Sequence, residues 1–403
     1  MSADYLTHAL HALGDGPLTE AGIHQHLAPL FSQVLSRDEI YLANHSLGRP
    51  LDQSMHDVAE AISLWQHRLD AAWTPWLDEQ QAFRSRLSTL LNAQQADCII
   101  PKTSAGQGLR AVLNSQPNGI KVVSTRGEFD SIDFILKQYR EQGRIRLNMV
   151  EPDPQGYFSS EAILAEIDAD TRLVVISQVM FMTGQILPEL PRIIAHAHAQ
   201  GAQVLVDAYH AVGVIPVDVR QLGCDFLIGG SYKYLRGGPG ACWLYIAPQV
   251  LDQHLTTLDT GWFAKQAPFS YARPDTPAFG PGGDSWLEST PPVLTWYQSR
   301  AGQQLVLGIG VERLRAYSLQ QLRELKARLR VADIHCEGAD EQFGAYLTIH
   351  HPHAAALAQQ LLAKGVNTDA RADRLRLCPD LLNTSEELQR ASEIVAQVIQ
   401  QGA

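Results

Sequence analysis

Lys233 has the sequence context of a lysine that is held in a fixed place for chemistry. Residues 229–240 read Gly-Gly-Ser-Tyr-Lys-Tyr-Leu-Arg-Gly-Gly-Pro-Gly, so the lysine lies between two tyrosines and precedes a Gly/Pro turn that neither a strand nor a helix can cross. An amine held in this way can form a Schiff base with a carbonyl compound. Taken alone, however, a lysine beside a tyrosine is most often a surface residue.

A carboxylate upstream gives this lysine a partner. Residues 202–207 read Ala-Gln-Val-Leu-Val-Asp, an apolar run that ends on Asp207, and His210 follows three positions later. A buried strand that ends in an aspartate puts the acid at the carboxyl edge of a sheet, where open α/β sheets bind ligands. Taken alone, such an aspartate is usually part of a turn or a helix cap. Together with Lys233 it predicts pyridoxal phosphate, which needs a lysine for its imine and a carboxylate that keeps its ring nitrogen protonated.

Both segments closely resemble the corresponding motifs of kynureninases. The matching runs are residues 206–213, Val-Asp-Ala-Tyr-His-Ala-Val-Gly, and residues 232–240, Tyr-Lys-Tyr-Leu-Arg-Gly-Gly-Pro-Gly. Kynureninases belong to the class V aminotransferase group of fold-type I pyridoxal phosphate enzymes. The resemblance implies an amino acid substrate and a homodimer with active sites shared between subunits. It also implies that Lys233, Asp207 and His210 contact the cofactor, with Tyr232 as a proton donor or phosphate ligand.

A phosphate cradle is predicted shortly before a helical pattern in the first third of the chain. Residues 102–108 read Lys-Thr-Ser-Ala-Gly-Gln-Gly, and phosphate binds to backbone N–H groups at a helix N-terminus and to small hydroxylated side chains. A simple N-cap explains this segment equally well when it is taken alone. The resemblance favours a phosphate site, and the contacting residues within 103–107 are expected among Thr103, Ser104, Ala105 and Gly106.

Two further positions take their predicted roles from the resemblance. Phe129 follows an apolar run at the place where family members stack an aromatic ring on the cofactor, and either Asp130 or Asp133 would fill the family's acidic position. Gln178 stands where the wider group has a histidine. Its amide can hydrogen-bond near the ring oxygen of the cofactor or substrate but cannot titrate.

Two segments that the resemblance connects with the dimer lie further along the chain. Residues 261–263, Gly-Trp-Phe, are similar to a kynureninase signature, which places Trp262 at the cofactor. Residues 289–292, Ser-Thr-Pro-Pro, resemble the segment that supplies a phosphate contact to the neighbouring subunit's cofactor, which gives that role to Thr290. A buried tryptophan taken alone is more simply a core residue.

Arg376 is predicted to bind the α-carboxylate of an amino acid substrate. Residues 374–379 read Arg-Leu-Arg-Leu-Cys-Pro, so Arg374 and Arg376 share one face of a short strand. In the family an arginine in this Leu-Arg context binds the carboxylate through its bidentate fork, and Arg376 is preferred here. The family's Gly-Asn-Ser-Leu-Gly is Asn-His-Ser-Leu-Gly at residues 44–48. We therefore expect His45 and Gln178 in a substrate pocket that differs from the family's.

Composition and charge indicate a soluble globular enzyme. The chain has 403 residues, of which 45% are hydrophobic and 19% charged, and its formal net charge is −11. This charge argues against nucleic acid or an anionic membrane as a partner. We read neither a signal peptide nor an apolar run of the ~18 residues that span a bilayer, so the cytoplasm is the expected location. The five cysteines lack metal-ligand spacing, and no metal site is predicted.

Apolar runs alternate with helical periodicity through the middle of the chain. This alternation predicts an α/β fold with a mostly parallel central sheet flanked by helices, and the resemblance specifies fold type I. A helical stretch from Val293 to about Val331 precedes a weaker strand and helix alternation. We expect an N-terminal segment at 1–54 that packs with the small domain, a large cofactor-binding domain at 55–290, and a small α+β domain at 291–403.

The resemblance implies hydrolytic cleavage of the Cβ–Cγ bond of L-kynurenine to anthranilate and L-alanine, a step of tryptophan catabolism. A class V cysteine desulfurase, lyase or epimerase is an alternative, but Cys336 and Cys378 lack the loop context of a mobile nucleophilic thiol. A non-catalytic cofactor-binding regulator is an alternative of another class, against which the complete set of expected site residues argues. The sequence does not distinguish kynurenine from 3-hydroxykynurenine.

Overall fold

The protein is described here by a computed structural model that covers residues 3–401. The strands of this range are β1 (Ile40–Tyr41), β2 (Ile99–Lys102), β3 (Ile120–Thr125), β4 (Ile145–Val150), β5 (Thr171–Ser177), β6 (Gln203–Asp207), β7 (Phe226–Gly230), β8 (Cys242–Ile246), β9 (Leu347–His350), β10 (Val366–Asn367), β11 (Asp369–Arg371) and β12 (Arg374–Leu377).

The α-helices of the same range are α1 (Ala3–Leu13), α2 (Glu20–Gly22), α3 (Ser32–Leu35), α4 (Gln53–Arg68), α5 (Trp73–Leu90), α6 (Ala105–Leu113), α7 (Asp130–Glu141), α8 (Ser160–Glu166), α9 (Leu190–Ala199), α10 (Val219–Leu222), α11 (Pro248–Leu251), α12 (Leu294–Ile309), α13 (Val311–Val331), α14 (Ala354–Ala363) and α15 (Ser385–Gln401).

Seven strands form the central sheet, in the order β2-β8-β7-β6-β5-β3-β4. Neighbours from β4 through β7 are parallel, whereas β8 runs antiparallel to both β7 and β2. The inner strands are almost continuous apolar runs because helices cover both faces of the sheet. The predicted mostly parallel sheet flanked by helices is confirmed.

The carboxyl ends of the parallel strands bring polar residues to one edge. Ser177 at the end of β5 lies in register with Asp207 at the end of β6, and β7 ends just before the loop that carries Lys233. The segment with Phe129 follows the end of β3. Ligands of open α/β sheets bind at this edge.

A smaller three-stranded antiparallel sheet, in the order β11-β12-β9, lies in the C-terminal part of the chain. The N-terminal segment joins it, because β1 pairs in parallel with β10 and Ala43 bridges to Cys378 just after β12. Ile40 and Leu42 are consequently part of the same apolar cluster as the interior of this smaller sheet. The pairing carries the residues that follow β1 to the edge of β12.

The helical stretch predicted from Val293 to Val331 is interrupted once. Gly310 has a φ of +89°, a conformation that residues with a Cβ rarely adopt, and it separates α12 from α13. Within residues 3–401, no helix combines the length and the hydropathy that a membrane crossing requires.

Candidate active site

Lys233 is buried in the loop between β7 and β8. The loop turns on itself, since the N–H of Arg236 donates to the carbonyl of Lys233 and Arg236 has a φ of +56°. The Nζ atom lies 2.6 Å from Nε2 of His210. The rings of Phe129 and Tyr232 surround the amine, each with its centroid 5.7 Å from Nζ. The amine is thus held at one place among aromatic side chains.

Asp207 completes this group from the end of β6. Its carboxylate is buried and accepts a hydrogen bond of 2.9 Å from the N–H of Tyr209. Burial raises the pKa of Asp207, and the nearby charge of Lys233 opposes that rise. Burial lowers the pKa of Lys233, and Asp207 opposes that fall. The two groups therefore stabilise each other's charged forms in an apolar surrounding.

The predicted phosphate cradle is a helix N-terminus. Ser104 is the N-cap of α6, and its hydroxyl accepts from the N–H of Gln107 at 3.1 Å. Both the N–H and the hydroxyl of Thr103 donate to the Gln107 carboxamide. A cavity of about 140 Å³ lies here, and its lining includes Thr103, Ser104, Ala105, Gly106, Phe129 and Tyr232. Ser104 can cap α6 while the same segment binds a phosphate, because the N-terminus of the helix opens on the cavity beside Tyr232.

The acid that the structure buries next to Phe129 is Glu128. Its carboxylate accepts hydrogen bonds from the hydroxyls of Thr125 and Ser177, at 2.7 and 2.6 Å, and burial raises its pKa to about 7. Glu128 also interacts electrostatically with Asp207. Glu128 thus links the ends of β3 and β5 beneath the site.

The two acids predicted for this position lie elsewhere. Asp133 pairs with Lys137 one turn along α7, at 2.6 Å, and Asp130 is exposed at the start of that helix. Asp133 thus makes an ordinary ion pair on the helix surface, and Asp130 is an acid in the first turn of the helix. The structure brings neither of them to Lys233.

Arg376, rather than Arg374, lies toward the Lys233 side. Arg376 is buried, its Nη1 donates to the carbonyl of Phe181 at 2.6 Å, and its charge contributes to the lowered pKa of Lys233. Arg374 donates to the carbonyl of Gln155 at 2.6 Å and lies 3.5 Å from Glu337, so other groups hold it.

His45 lies beside Arg376, as the pairing of the N-terminal segment requires. Its ring is fully buried, 4.9 Å from the ring of Tyr346 and 6.5 Å from that of His210. Its Nε2 lies 2.9 Å from the carboxylate of Asp369, which also holds Arg376. The structure therefore brings His45 into the predicted substrate region.

Gln178 meets the end of β6 through its backbone, whose N–H donates to the carbonyl of Asp207 at 2.9 Å. Its side-chain Oε1 is buried, and within residues 3–401 this atom has no hydrogen-bond partner. Gln178 also lines a cavity together with Pro191 and Pro216. A contact of its amide near the ring oxygen stays a prediction.

Trp262 and Thr290 contact each other. The indole N–H of Trp262 donates to the hydroxyl of Thr290 at 3.1 Å. Thr290 is exposed and lines, together with Thr103, a cavity of about 160 Å³. Their roles at a cofactor shared between subunits remain predictions.

Sequence reasoning missed Asp369 and the function of Gly48. Asp369 stands directly opposite Arg376 in the β11–β12 hairpin, and opposite charges on paired strands were a signal that could have found it. The N–H of Gly48 donates to the carbonyl of Tyr232 at 2.8 Å, so the N-terminal segment packs on the lysine loop. No local pattern signals that contact.

Comparison with known proteins identifies the family. The family model described as aminotransferase class V matches residues 64–368. The chain belongs to the class V aminotransferase family. Kynureninase from Pseudomonas fluorescens is 27% identical over 396 residues, 93% of this chain and 92% of the relative. Kynureninase from Deinococcus radiodurans is 28% identical over 369 residues, 86% of this chain and 85% of the relative. The chain is thus a kynureninase-like member of this class V family.

Solved structures share the fold. The cystine C–S lyase C-DES, in a mutant with glycine covalently linked to its pyridoxal phosphate, superposes with a TM-score of 0.80 at 19% identity, over 91% of this chain and 98% of that one. The cysteine desulfurase CsdA from Escherichia coli has a TM-score of 0.79 at 17% identity, over 96% of this chain and all of that one. The fold-type I prediction is confirmed.

Membership of this family indicates pyridoxal 5′-phosphate as the cofactor of this enzyme, and the residues present fit it. A buried amine, a buried carboxylate and a helix N-terminus that opens on a cavity are the groups that such a molecule requires.

Proposed function

We propose that the protein is a hydrolase of the kynureninase type, which uses water to cleave L-kynurenine into anthranilate and L-alanine. The observation that carries the proposal is the convergence of Lys233 and Arg376 on one buried site. The amine of Lys233 lies 2.6 Å from His210, the ring of His210 lies 5.7 Å from that of Tyr346, and the guanidinium of Arg376 lies 5.5 Å from the centroid of the same Tyr346 ring. These two groups suit an α-amino acid, because the guanidinium of Arg376 can bind its carboxylate while the amine of Lys233 lies near its Cα. The similarity to kynureninases along most of the chain supports this substrate.

Arg376 binds the α-carboxylate in this proposal, and Lys233 removes the proton from Cα. The lowered pKa of Lys233 favours this role, because a larger fraction of the amine is neutral at neutral pH than in a free lysine. Burial raises the pKa of Tyr232, so its hydroxyl keeps its proton and can donate it, or bind phosphate. Water, which the reaction consumes, adds at the γ-carbonyl.

The proposed cofactor-binding residues fall into groups that hold the ring nitrogen, the ring and the phosphate of the cofactor. Pyridoxal phosphate supplies the electron sink for the bond cleavage, and Asp207 keeps its ring nitrogen protonated. Phe129 would stack on the ring, and His210 lies beside the reactive amine. The N-terminus of α6 would hold the phosphate through the residues predicted for it, namely Thr103, Ser104, Ala105 and Gly106.

A homodimer is part of the proposal. Three apolar side chains on one face of α4 are exposed, Met55, Ile62 and Trp65, although the opposite face of the helix packs against α12. An exposed apolar stripe of this kind marks an interaction surface. In this proposal a second copy of the chain covers that face, and the resemblance to kynureninases assigns Thr290 and Trp262 to the cofactor site shared between the subunits.

The thiols weigh against a desulfurase. Such an enzyme needs a reactive cysteine that reaches the substrate sulfur, whereas four of the five cysteines are buried and Cys336 is half-buried in the C-terminal part. Burial raises the pKa of all five thiols. None of them has the lowered pKa of a nucleophilic thiol.

The test is an assay of the cofactor-loaded enzyme with L-kynurenine. We expect anthranilate fluorescence and one L-alanine for each anthranilate, with no product from Lys233→Ala. Binding of L-kynurenine, seen as a change in the cofactor spectrum, without any anthranilate would reject kynureninase activity and leave another amino acid reaction at the same site.

A further inference from the structure

Asp369 joins Arg376 and His45 in one buried group. Its Oδ1 accepts from Nε of Arg376 at 2.7 Å and from Nε2 of His45 at 2.9 Å, and its Oδ2 accepts from Nη2 of Arg376 at 2.7 Å. Burial alone would raise the pKa of Asp369, but the hydrogen bonds from His45 and Arg376 and the charge of Arg376 hold it well below its usual range. Asp369 is therefore an ionised carboxylate.

The ionised carboxylate determines the tautomer of His45. A carboxylate only accepts hydrogen bonds, so Nε2 of His45 must carry a hydrogen. Burial, the charge of Arg376 and the charge of Lys233 lower the pKa of His45 to about 4, against the opposing effect of Asp369. The ring is consequently neutral at neutral pH, and Nδ1 carries a lone pair.

Nδ1 of His45 has no hydrogen-bond donor among the described residues. The ring is fully buried, and Nδ1 is one of the buried side-chain atoms of residues 3–401 that lack a hydrogen-bond partner. Buried polar atoms in native proteins nearly always have a partner, and each exception needs an explanation. This atom belongs to a ring that packs near both Tyr346 and His210, and His210 contacts the amine of Lys233. The missing partner is therefore expected from a bound molecule.

Asp369 can hold Arg376 without blocking a ligand. A guanidinium has five N–H groups. Asp369 takes two of them along the Nε edge, and the carbonyl of Phe181 takes one on Nη1. One N–H on each Nη lies outside these contacts, and such a pair can bind a second carboxylate end-on.

We propose that Nδ1 of His45 accepts a hydrogen bond from an N–H or O–H group on the side chain of the amino acid substrate, and that Asp369 is the positioning residue that holds both His45 and Arg376. This inference rests on the proposed function only in taking the ligand to be an amino acid whose carboxylate binds Arg376. It selects substrates that carry a side-chain donor, such as the aryl amine of kynurenine.

The first test compares two ligands of the wild-type holoenzyme. L-Kynurenine and 2-amino-4-oxo-4-phenylbutanoate differ only in the aryl amine, and the spectrum of the bound cofactor reports the Kd of each. We expect L-kynurenine to bind at least ~10-fold more tightly, since an acceptor without its donor disfavours the analogue. Equal affinities would overturn the proposal, and this comparison does not depend on any variant's folding.

The second test separates two roles of His45: accepting a hydrogen bond from the substrate at Nδ1, and donating a hydrogen bond to Asp369 from Nε2. In His45→Gln the amide can still donate to Asp369 from near the Nε2 position but leaves no acceptor near Nδ1, whereas in His45→Asn the reverse holds. We expect the ~10-fold preference for L-kynurenine to disappear in His45→Gln and to persist in part in His45→Asn. The opposite pattern would show that His45 only supports Asp369.

Asp369 is tested by Asp369→Asn, with Asp373→Asn as the matched control. Asp373 lies on the same hairpin but contacts His350 and Arg374 instead. We expect Asp369→Asn to raise the Kd of both ligands by ~10-fold or more and to raise KM more than it lowers kcat. An unchanged Kd would overturn the positioning role. Because these measurements are affinities, failure to form anthranilate would reject the proposed function alone.

Discussion

Burial shifts the pKa values of Asp207 and Lys233 in opposite directions. Burial raises the pKa of the carboxyl group and lowers that of the amine, and the attraction between the two opposes both shifts. Each pKa shift disfavours the charged form of its group. A cofactor that presents a positive ring nitrogen to Asp207 and a carbonyl to Lys233 therefore stabilises both residues. At the scale of single residues, the site is prepared for its cofactor by burial.

Changing Asp207 to Asn tests the carboxylate. We expect the variant to keep its bound cofactor but to lose activity by roughly 10²-fold to 10³-fold, because a neutral amide no longer keeps the ring nitrogen protonated. Absorbance of the bound cofactor and steady-state turnover measure the two effects separately. Activity near that of the wild type would show that Asp207 is not the ring partner.

Arg376→Lys and Arg374→Lys form a matched pair on one strand. Lysine keeps the charge but lacks the planar fork, so we expect Arg376→Lys to raise KM for the amino acid substrate by ~10-fold or more while the resting spectrum stays unchanged. Arg374→Lys should leave KM unchanged, because other groups hold Arg374. The reverse result would place the carboxylate at Arg374.

At the scale of elements, the N-terminal segment and the lysine loop meet backbone to backbone. A Cβ built on Gly48 would lie 1.8 Å from the carbonyl oxygen of Lys233. The contact is further held by the hydrogen bond from Gly48 to Tyr232. Glycine is required here because of a close approach rather than an unusual φ.

Gly48→Ala tests this contact. We expect the loop to shift, cofactor affinity to fall, and the free energy of unfolding to drop by about 1–3 kcal/mol or more, as for other overpacked sites. Gly16→Ala is the control, because a Cβ at Gly16 meets no atom within 4 Å. Thermal unfolding and cofactor titration of both variants give the comparison, and equal behaviour of the two would contradict the structural reading.

At the scale of the whole molecule, the site lies where the edge of the large sheet, the segment after β1 and the small sheet meet. Lys233, His45 and Arg376 come from these three parts in turn. Forming the site therefore requires the apolar cluster around the large sheet and the apolar cluster around the small sheet to pack in one arrangement. In the proposed dimer, a second copy of the chain packs on the exposed face of α4.

Trp65→Glu tests the dimer. Trp65 is 59% exposed on α4, and a buried charge at an interface is costly, so we expect the dimer to dissociate and activity per chain to fall. Val331→Glu is the control, because Val331 is 91% exposed at the end of α13. Sedimentation equilibrium measures the mass. A wild type that is monomeric, or a Trp65→Glu variant that remains dimeric, would refute this interface.

Local patterns were sufficient for the strands and for the cofactor group. The apolar runs in the middle of the chain form strands of the central sheet, because a strand that is buried on both faces is largely apolar and leaves this signature in four to seven consecutive residues. Lys233, Asp207 and Phe129 each stand at the end of such a run or just beyond it, so their neighbourhood follows from the parallel order.

The sequence by itself determined the sheet, the lysine and its carboxylate, because these depend on short-range spacing. Only the tertiary structure decided that Asp369 joins His45 to Arg376, and that Glu128 is the acid that bonds to Thr125 and Ser177 at the ends of β3 and β5. His45 and Asp369 are 324 positions apart, and a hydrogen bond over such a separation leaves no periodicity in the chain. The packing of the N-terminal segment on the small sheet decides contacts of this kind.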